Sequence, residues 1–177
     1  IEMSTTALPF ALTRPAHVNQ THLVVTDLDS VSAFYRTIIG LSTLEKSGSG
    51  EVLGVNGVPL LTLTTRGDAV RAPRNAAGLF HTAFLVPDRA ALAAWLAHAA
   101  HAGVRLDGAS DHLVSEAIYL SDPQGNGIEI YRDLQPDAWT MFPDGPVQLA
   151  TGALDLQALY DSADQGTWSG TRDGTAI

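Results

Sequence analysis

The feature that most constrains this chain is a segment that recurs roughly one third of the chain further on. Residues 20–27, QTHLVVTD, align without a gap with residues 81–88, HTAFLVPD; Thr, Val and Asp coincide, and apolar positions match apolar positions. The first copy alternates and is rich in β-branched residues, which predicts a strand. Because such self-similarity marks a duplicated unit, we expect two copies of one small module.

The residues after the first copy predict one helix followed by three short strands. An apolar stripe over 31–38 predicts the helix, with Asp29 or Ser30 as its N-terminal cap and Gly40 as its end. The strands are predicted at 41–46, 51–55 and 60–65, with Gly, Asn and Pro in the turns between them.

The second copy is followed by the same order of elements. A strand is predicted at 79–86, and Asp88 and Gly103 are predicted to begin and end a helix. The three strands that follow are predicted at 104–107, 113–120 and 127–132. The run DPQGNG before the last of these is typical of a tight turn between paired strands.

These patterns predict an α+β fold, with two tandem βαβββ modules whose curved mixed sheets surround a cleft. The predicted organisation is a flexible leader over 1–16, a first module over 17–66, a linker over 67–77, a second module over 78–135 and an irregular tail over 136–177. The tail is interpreted as a linker to a second half.

Charge and cysteine content restrict the function. The net charge is −9, which argues against nucleic acid and anionic membranes as partners, since both attract a basic surface. Cysteine is absent, so thiolate metal sites, disulfides and cysteine nucleophiles are excluded. No apolar run approaches the ~20 residues that span a bilayer, and a cytoplasmic location is expected.

Duplication also predicts which side chains share the cleft. Gln20 and His81 occupy equivalent places in the first strands of the two modules, and Thr62 and Glu129 do so in the last strands. His81 and Glu129 are good ligands for a divalent first-row metal, whereas Gln20 is a weak one. Strand alternation puts His22 on the same face as Gln20. His98 and His101 lie one helical turn apart, a spacing that could hold a metal, but they are not interpreted as a metal site because the helix is Ala-rich and offers no third ligand.

The segment 112–129, HLVSEAIYLSDPQGNGIE, carries the densest group of reactive side chains. It predicts two paired strands joined by a turn, with an imidazole, a phenol and a carboxylate on one surface. These are the parts of a metal-assisted active site. The residues concerned are His112, Tyr119 and Glu129.

Over residues 17 to 140 the chain resembles the vicinal oxygen chelate superfamily, which includes glyoxalase I, extradiol ring-cleavage dioxygenases and bleomycin-resistance proteins. Within it, the chain is most similar to catechol 2,3-dioxygenase-like proteins. The extradiol signature asks for a His, an apolar-Tyr pair, an acid, Pro, Gly and Glu. The matching residues are His112, Ile118, Tyr119, Asp122, Pro123, Gly125 and Glu129.

The resemblance implies a role for each of these positions. His81 and Glu129 would be metal ligands, and Gln20 stands where a second His ligand is expected. His112 would hydrogen-bond the metal-bound oxygen species or substrate, and Tyr119 would contact and order the substrate oxygen. The implied metal is Fe(II), with Mn(II), Zn(II) and Ni(II) as alternatives. The implied partners are a small aromatic substrate and O₂.

Three functions remain open at this stage. The first is cleavage of a catecholic ring with O₂, which the spacing of His112, Tyr119 and Glu129 favours. The second is a glyoxalase-type lyase or isomerase that uses Gln20, His81 and Glu129. The third is metal-free binding of an aromatic small molecule. The third metal ligand is Gln20, His22 or a residue from another chain or half, so a homodimer or pairing with a second half is expected.

Overall fold

The first module is a four-stranded mixed sheet with one helix packed against it. The computed structural model describes residues 9–73, 76–164 and 168–177. The sheet order is β1-β4-β3-β2, with β1 parallel to β4 and the other neighbours antiparallel. Its elements are β1 (Thr21–Val25), α1 (Leu28–Phe34) with a π-helical turn (Tyr35–Ile39), β2 (Ser42–Lys46), β3 (Gly50–Val55) and β4 (Val58–Thr65).

The second module repeats this plan and adds a fifth strand. The sheet order is β5-β8-β7-β6-β9, and β5 is parallel to β8 as β1 is to β4. Its elements are β5 (His81–Leu85), α2 (Arg89–His101), β6 (Gly108–Asp111), β7 (Ser115–Ser121), β8 (Gly127–Asp133) and β9 (Gly152–Ala153). The expected α+β fold with two βαβββ modules is confirmed.

The helix caps match the sequence in the second module and differ by a few residues in the first. Asp88 caps α2 by accepting a hydrogen bond from the Ala91 N–H, as predicted. The cap of α1 is Asp27, which accepts from the Ser30 N–H, so the prediction of Asp29 or Ser30 was wrong. Asp27 takes this role because it leaves β1 with an extended backbone, whereas Asp29 already lies within the helix.

The strand predicted at 104–107 is also wrong, because the strand in that region is Gly108–Asp111. The Val104 N–H is still bonded to the Ala99 carbonyl of the helix end. Val104 and Leu106 are apolar because they pack against the core from a loop. The polar strand that follows is instead specified by its backbone pairing with β7, where Gly108 lies opposite Tyr119.

The two modules share one hydrophobic core. It includes Leu53 and Leu61 from the first sheet, and Phe84 and Ile118 from the second. Trp95 of α2 also donates a hydrogen bond of 2.9 Å to the Ile38 carbonyl at the end of the first helix. The two sheets are therefore held in a fixed relation by burial of apolar surface.

The β7–β8 turn provides a further contact between the modules. Its Gln124 side chain accepts a hydrogen bond of 3.0 Å from the Thr26 N–H at the end of β1. Burial raises the pKa of Tyr35 well above its ordinary value, and the nearby Asp122 of the turn adds to this rise. The turn therefore lies against the first module as well as joining two strands of the second.

Part of the segment predicted to be a flexible leader packs on the second module. Residues 1–8 lie outside the described part of the chain, but Phe10–Thr13 form a 3-10 helix. Phe10 contacts Trp139 edge to face, with ring centroids 4.7 Å apart. The Ala11 N–H donates to Asp133 at the end of β8. The leader therefore contributes a wall next to the second sheet.

The predicted irregular tail supplies β9 and a short helix, α3 (Leu156–Asp161). Further on, Ala176 exchanges two backbone hydrogen bonds with Leu85 of β5. Within the described residues, no helix has the length and apolar character needed to cross a membrane. The role of the tail as a linker to a second half stays a prediction.

Candidate active site

His81 and Glu129 meet on one face of the second sheet. His81 begins β5, and Glu129 lies in β8 opposite Ala83, two residues further along β5. The His81 Nε2 and Glu129 Oε2 atoms are 2.7 Å apart. The strands approach closely here because residue 127 is a glycine; a Cβ on Gly127 would collide with the Phe80 carbonyl.

Tyr119 and His112 extend this pair into a continuous hydrogen-bonded row. The Tyr119 hydroxyl donates to Glu129 Oε1 at 3.0 Å, because β7 places Tyr119 directly opposite Glu129. His112 Nε2 lies 3.0 Å from the same hydroxyl, and His112 Nδ1 lies 2.8 Å from the Ala150 carbonyl. The order along the sheet is therefore His81, Glu129, Tyr119 and His112.

The row lies in a partly buried environment that keeps its phenol protonated. Burial raises the pKa of Tyr119 to about 12, and the Glu129 carboxylate adds to the rise. Tyr131, on the same face of β8, also has a pKa raised to about 12, first by burial and then by Asp133 and Glu129. Both phenols are therefore hydrogen-bond donors at neutral pH.

The first module carries a neutral copy of the His81–Glu129 pair. Gln20 Nε2 donates to Thr62 Oγ1 at 2.8 Å. Thr62 lies opposite His22, two residues after Gln20, so the register repeats that of the second module. His22 lies on the same side, as its alternation predicts, but its Nε2 atom is 2.8 Å from Thr64 Oγ1. Duplication has thus conserved the geometry while the first module has neutral groups where the second has ionisable ones.

The residues present fit a divalent metal at two coordination positions. A six-coordinate ion with ligand distances of about 2.1 Å holds adjacent ligand atoms about 3.0 Å apart. His81 and Glu129 therefore need to separate by only a few tenths of an ångström, with loss of the proton between them. No cluster of three His, Asp or Glu residues suited to a metal occurs in the described ranges. Gln20 and His22 each form a hydrogen bond with a threonine of their own sheet, so neither is in contact with the His81–Glu129 pair through these bonds.

An open groove of about 450 Å³ adjoins His81. Its lining includes Tyr131. Tyr131 follows Glu129 by two residues on one strand, and this spacing indicates that both side chains lie on the same face of the sheet. It also includes Arg14, which lies before the first strand. No periodicity or motif marked Arg14, because only the packing of Phe10–Thr13 brings it to the second sheet.

The paired βαβββ modules define the fold class of this chain, and the row of side chains defines its candidate active site. Residues 14–130 match the model of the Glyoxalase/Bleomycin resistance protein/Dioxygenase superfamily. The chain therefore belongs to this superfamily, and the resemblance noted in the sequence is confirmed.

Individual relatives within the superfamily differ in activity. The chain is 38% identical over 149 residues to a catechol-2,3-dioxygenase of Bacillus subtilis, a match that covers 83% of this chain and 52% of the relative. The chain therefore spans about half the length of that protein. By its name, that relative is an oxidoreductase.

Solved structures support the fold. The lactoylglutathione lyase of Agrobacterium tumefaciens superposes with a TM-score of 0.53 at 26% identity, covering 67% of this chain and 95% of that one. A glyoxalase/dioxygenase of Nostoc punctiforme gives 0.55 at 19% identity, covering 67% and 92%. Because the second structure is only 19% identical, it supports the fold alone.

Proposed function

We propose that this chain forms the catalytic part of an extradiol-type ring-cleavage dioxygenase, which acts on a catecholic aromatic with O₂ and a divalent metal, Fe(II) first among the candidates. The observation that carries the proposal is the row His81–Glu129–Tyr119–His112, whose members have the extradiol spacing and touch one another. The 38% identity to a catechol-2,3-dioxygenase supports the same activity.

His81 and Glu129 would hold the metal through Nε2 and a carboxylate oxygen. When bound, such a metal lowers the pKa of the substrate phenol and couples electron flow from ring to dioxygen. Glu129 is oriented for this by the Tyr119 hydroxyl. A ligand oriented by a hydrogen bond keeps its geometry when the metal binds.

His112 is suited to move a proton next to the substrate. A carbonyl only accepts hydrogen bonds, so the contact with Ala150 requires a proton on His112 Nδ1. The Tyr119 proton goes to Glu129, so in this arrangement His112 Nε2 donates to the Tyr119 oxygen and is the nitrogen that can give a proton. Because the Tyr119 hydroxyl lies between His112 and Glu129, it positions both and contacts a substrate oxygen in the proposed complex.

Anaerobic Fe(II) binding tests this proposal. We expect about one ion per chain in the purified protein, and a yellow ring-opened product when catechol and O₂ are added. Glu129→Ala should abolish metal binding. Glu45→Ala is the matched control, since Glu45 is an exposed glutamate of β2 on the other sheet and should leave binding unchanged.

Two results would contradict the proposal. Full metal occupancy in Glu129→Ala would remove Glu129 from the site, and no metal after anaerobic loading would exclude a metal-dependent activity for the chain by itself. Gel filtration and light scattering test the proposed homodimer or pairing with a second half. A strict monomer with full activity would rule out a ligand shared between chains.

A glyoxalase-type lyase or isomerase is the second candidate. Gln20 favours it, because its amide is the equivalent of His81 in the first module. Binding of Zn(II) or Ni(II) together with turnover of a thiohemiacetal, and no reaction with catechol, would establish this alternative. The third candidate is metal-free binding of an aromatic, as in bleomycin-resistance-like proteins, and the direct His81–Glu129 contact is compatible with it.

A further inference from the structure

The groove next to His81 is large enough for a small aromatic ligand and has two different walls. Its volume of about 450 Å³ lies within the range of small-molecule sites, about 300–1,000 Å³. His81, Ala83 and Tyr131 belong to the second sheet, and Ala11 and Arg14 belong to the N-terminal segment. The sheet side therefore offers an apolar surface for a ring, and the opposite wall offers a cation.

Arg14 is an exposed cation held in place by an aromatic ring. Its guanidinium carbon lies 4.1 Å from the centroid of the Phe10 ring, and Phe10 is fixed against Trp139. The guanidinium lies over the ring, and its N–H groups form no hydrogen bond within the described residues, so they are available to a carboxylate. Arg14 is thus oriented without using its hydrogen-bonding capacity.

Arg14 is without an ion pair in the described part of the chain, as are Arg71 and Arg105, but of these three arginines Arg14 alone lines the groove. Arg36 and Lys46 face Glu51, and Arg89 and Arg132 face Glu116. Within residues 9–73, 76–164 and 168–177, no carboxylate forms an ion pair with Arg14. In a chain with 19 acidic and 10 basic residues, an unpaired and oriented arginine at a groove is well suited to an anionic ligand.

The acidic groups on this face of the sheet restrict where an anion binds. Glu129 is paired with His81, and Asp133 accepts a hydrogen bond from the Ala11 N–H. The Glu129 carboxylate disfavours an anion next to His81, and the Asp133 carboxylate disfavours one next to Ala11. The favourable position for a negative group is therefore at the Arg14 guanidinium, with the aromatic ring against the sheet.

We propose that Arg14 binds a carboxylate substituent of the aromatic ligand, so that this site prefers ring compounds with an anionic side chain over neutral ones. Arg14 is then a specificity-determining residue on the N-terminal segment. That the ligand is a catechol rests on the proposed function, whereas the preference for a carboxylate rests on the groove and Arg14 alone.

Binding to metal-free protein under anaerobic conditions tests this inference without turnover. The probes are 3,4-dihydroxyphenylacetate and its neutral analogue 4-ethylcatechol, titrated by calorimetry. We expect the wild type to bind the acid about tenfold more tightly, because a hydrogen bond between two charged groups is stronger than one between neutral groups. Arg14→Gln should remove that preference and leave binding of 4-ethylcatechol within about twofold. Arg14→Lys should retain part of it, because the charge remains but the bidentate geometry is lost.

Arg105→Gln is the matched control, because Arg105 is an exposed arginine outside the groove; it should leave both affinities unchanged. An Arg14→Gln variant that keeps the preference for the acid, or that weakens both ligands equally, would overturn the inference. Catechol cleavage together with that result would leave the proposed function standing. The expected Arg14 dependence without any metal binding would instead refute the dioxygenase proposal and retain the carboxylate site.

Discussion

Tyr119 is the central residue of the candidate site, because its hydroxyl contacts both His112 and Glu129. Its high pKa, a result of burial and the Glu129 charge, keeps it a donor over the working pH range. A phenol in this position orders the carboxylate on one side and the imidazole on the other. Its removal should therefore affect the reaction more than the occupancy of the metal.

Tyr119→Phe removes only that hydroxyl. If the proposed function holds, kcat at saturating Fe(II) should fall by about 100-fold, since positioned donors of this kind contribute about that much. Fe(II) affinity should fall by no more than about tenfold, because His81 and Glu129 remain. Steady-state kinetics and anaerobic metal titration separate the two effects. Tyr160→Phe, in α3, is the control and should leave kcat unchanged. A kcat of Tyr119→Phe equal to that of the wild type would refute the proposed role of the Tyr119 hydroxyl.

Glu51 is a buried carboxylate of β3 that serves the first module. It accepts hydrogen bonds from Ser32 and Thr43 and lies near Lys46 and Arg36. Burial alone raises its pKa, but the two hydrogen bonds and then the two cations outweigh burial and lower the pKa from the ordinary 4.5. The folded state therefore favours the ionised form.

The lowered pKa predicts acid sensitivity. The unfolded chain takes up the proton first as pH falls, so the contribution of Glu51 is complete above about pH 4.5 and is lost as pH falls through the lower folded value. Glu51→Gln should reduce the free energy of unfolding by about 1–3 kcal/mol at neutral pH and by less in acid. Urea denaturation across pH checks this against Glu45→Gln. A constant difference at all pH values would exclude ionisation as the cause.

At the scale of elements, the two parallel strand pairs show how the duplicated module diverged. The β1–β4 and β5–β8 pairs have the same register, and each connects the start of its first strand to its last strand by a side-chain contact of similar length. Only the side chains differ, amide and hydroxyl in one pair and imidazole and carboxylate in the other. The backbone of the first module could therefore hold ionisable metal ligands at the positions of Gln20 and Thr62.

The double variant Gln20→His with Thr62→Glu tests whether both pairs face one cleft. If they do, four ligands surround one ion, and we expect at least about tenfold tighter Zn(II) binding with one ion per chain. Calorimetry gives both affinity and stoichiometry, with Gln20→His alone as the control. Unchanged affinity, or a second independent ion, would show that the two pairs do not share a site.

Strand prediction succeeded where burial and alternation agree, and failed where they do not. Strands such as Val58–Thr65 and Gly127–Asp133 carry enough buried apolar residues for the pattern to predict them. Gly108–Asp111 is polar and is held by its backbone bonds to β7. A search for apolar alternation could not predict this strand. Val104 and Leu106 led to a wrong strand prediction at 104–107, because loops also bury apolar side chains.

At the scale of the molecule, the C-terminal segment joins both modules. Trp168 stacks on His98 of α2 with ring centroids 3.8 Å apart. It also packs so closely over Gly40 that a Cβ there would collide with it. Thr171 hydrogen-bonds the Ile39 carbonyl, and Ala176 bonds to Leu85. One short segment therefore contacts the end of the first helix, α2 and β5.

Trp168→Ala should destabilise the molecule by about 1–3 kcal/mol, because it removes a large packed ring that bridges two modules. We expect a lower midpoint of urea unfolding, followed by circular dichroism, with Trp168→Phe intermediate since it keeps an aromatic surface against His98. If Trp168→Ala matches the wild type in stability, the segment does not hold the modules together.

The sequence by itself determined the duplicated fold. It also predicted His81 and Glu129 as a ligand pair, and its spacing predicted that His112 and Tyr119 lie near them. These features follow from residue identity and strand periodicity, which are local. The tertiary structure alone brought Arg14 to the groove and Trp168 to the junction of the modules, and it showed that Gln20 and Thr62 bond to each other. Contacts of this kind depend on how distant segments pack, and packing leaves no periodic signal in the chain.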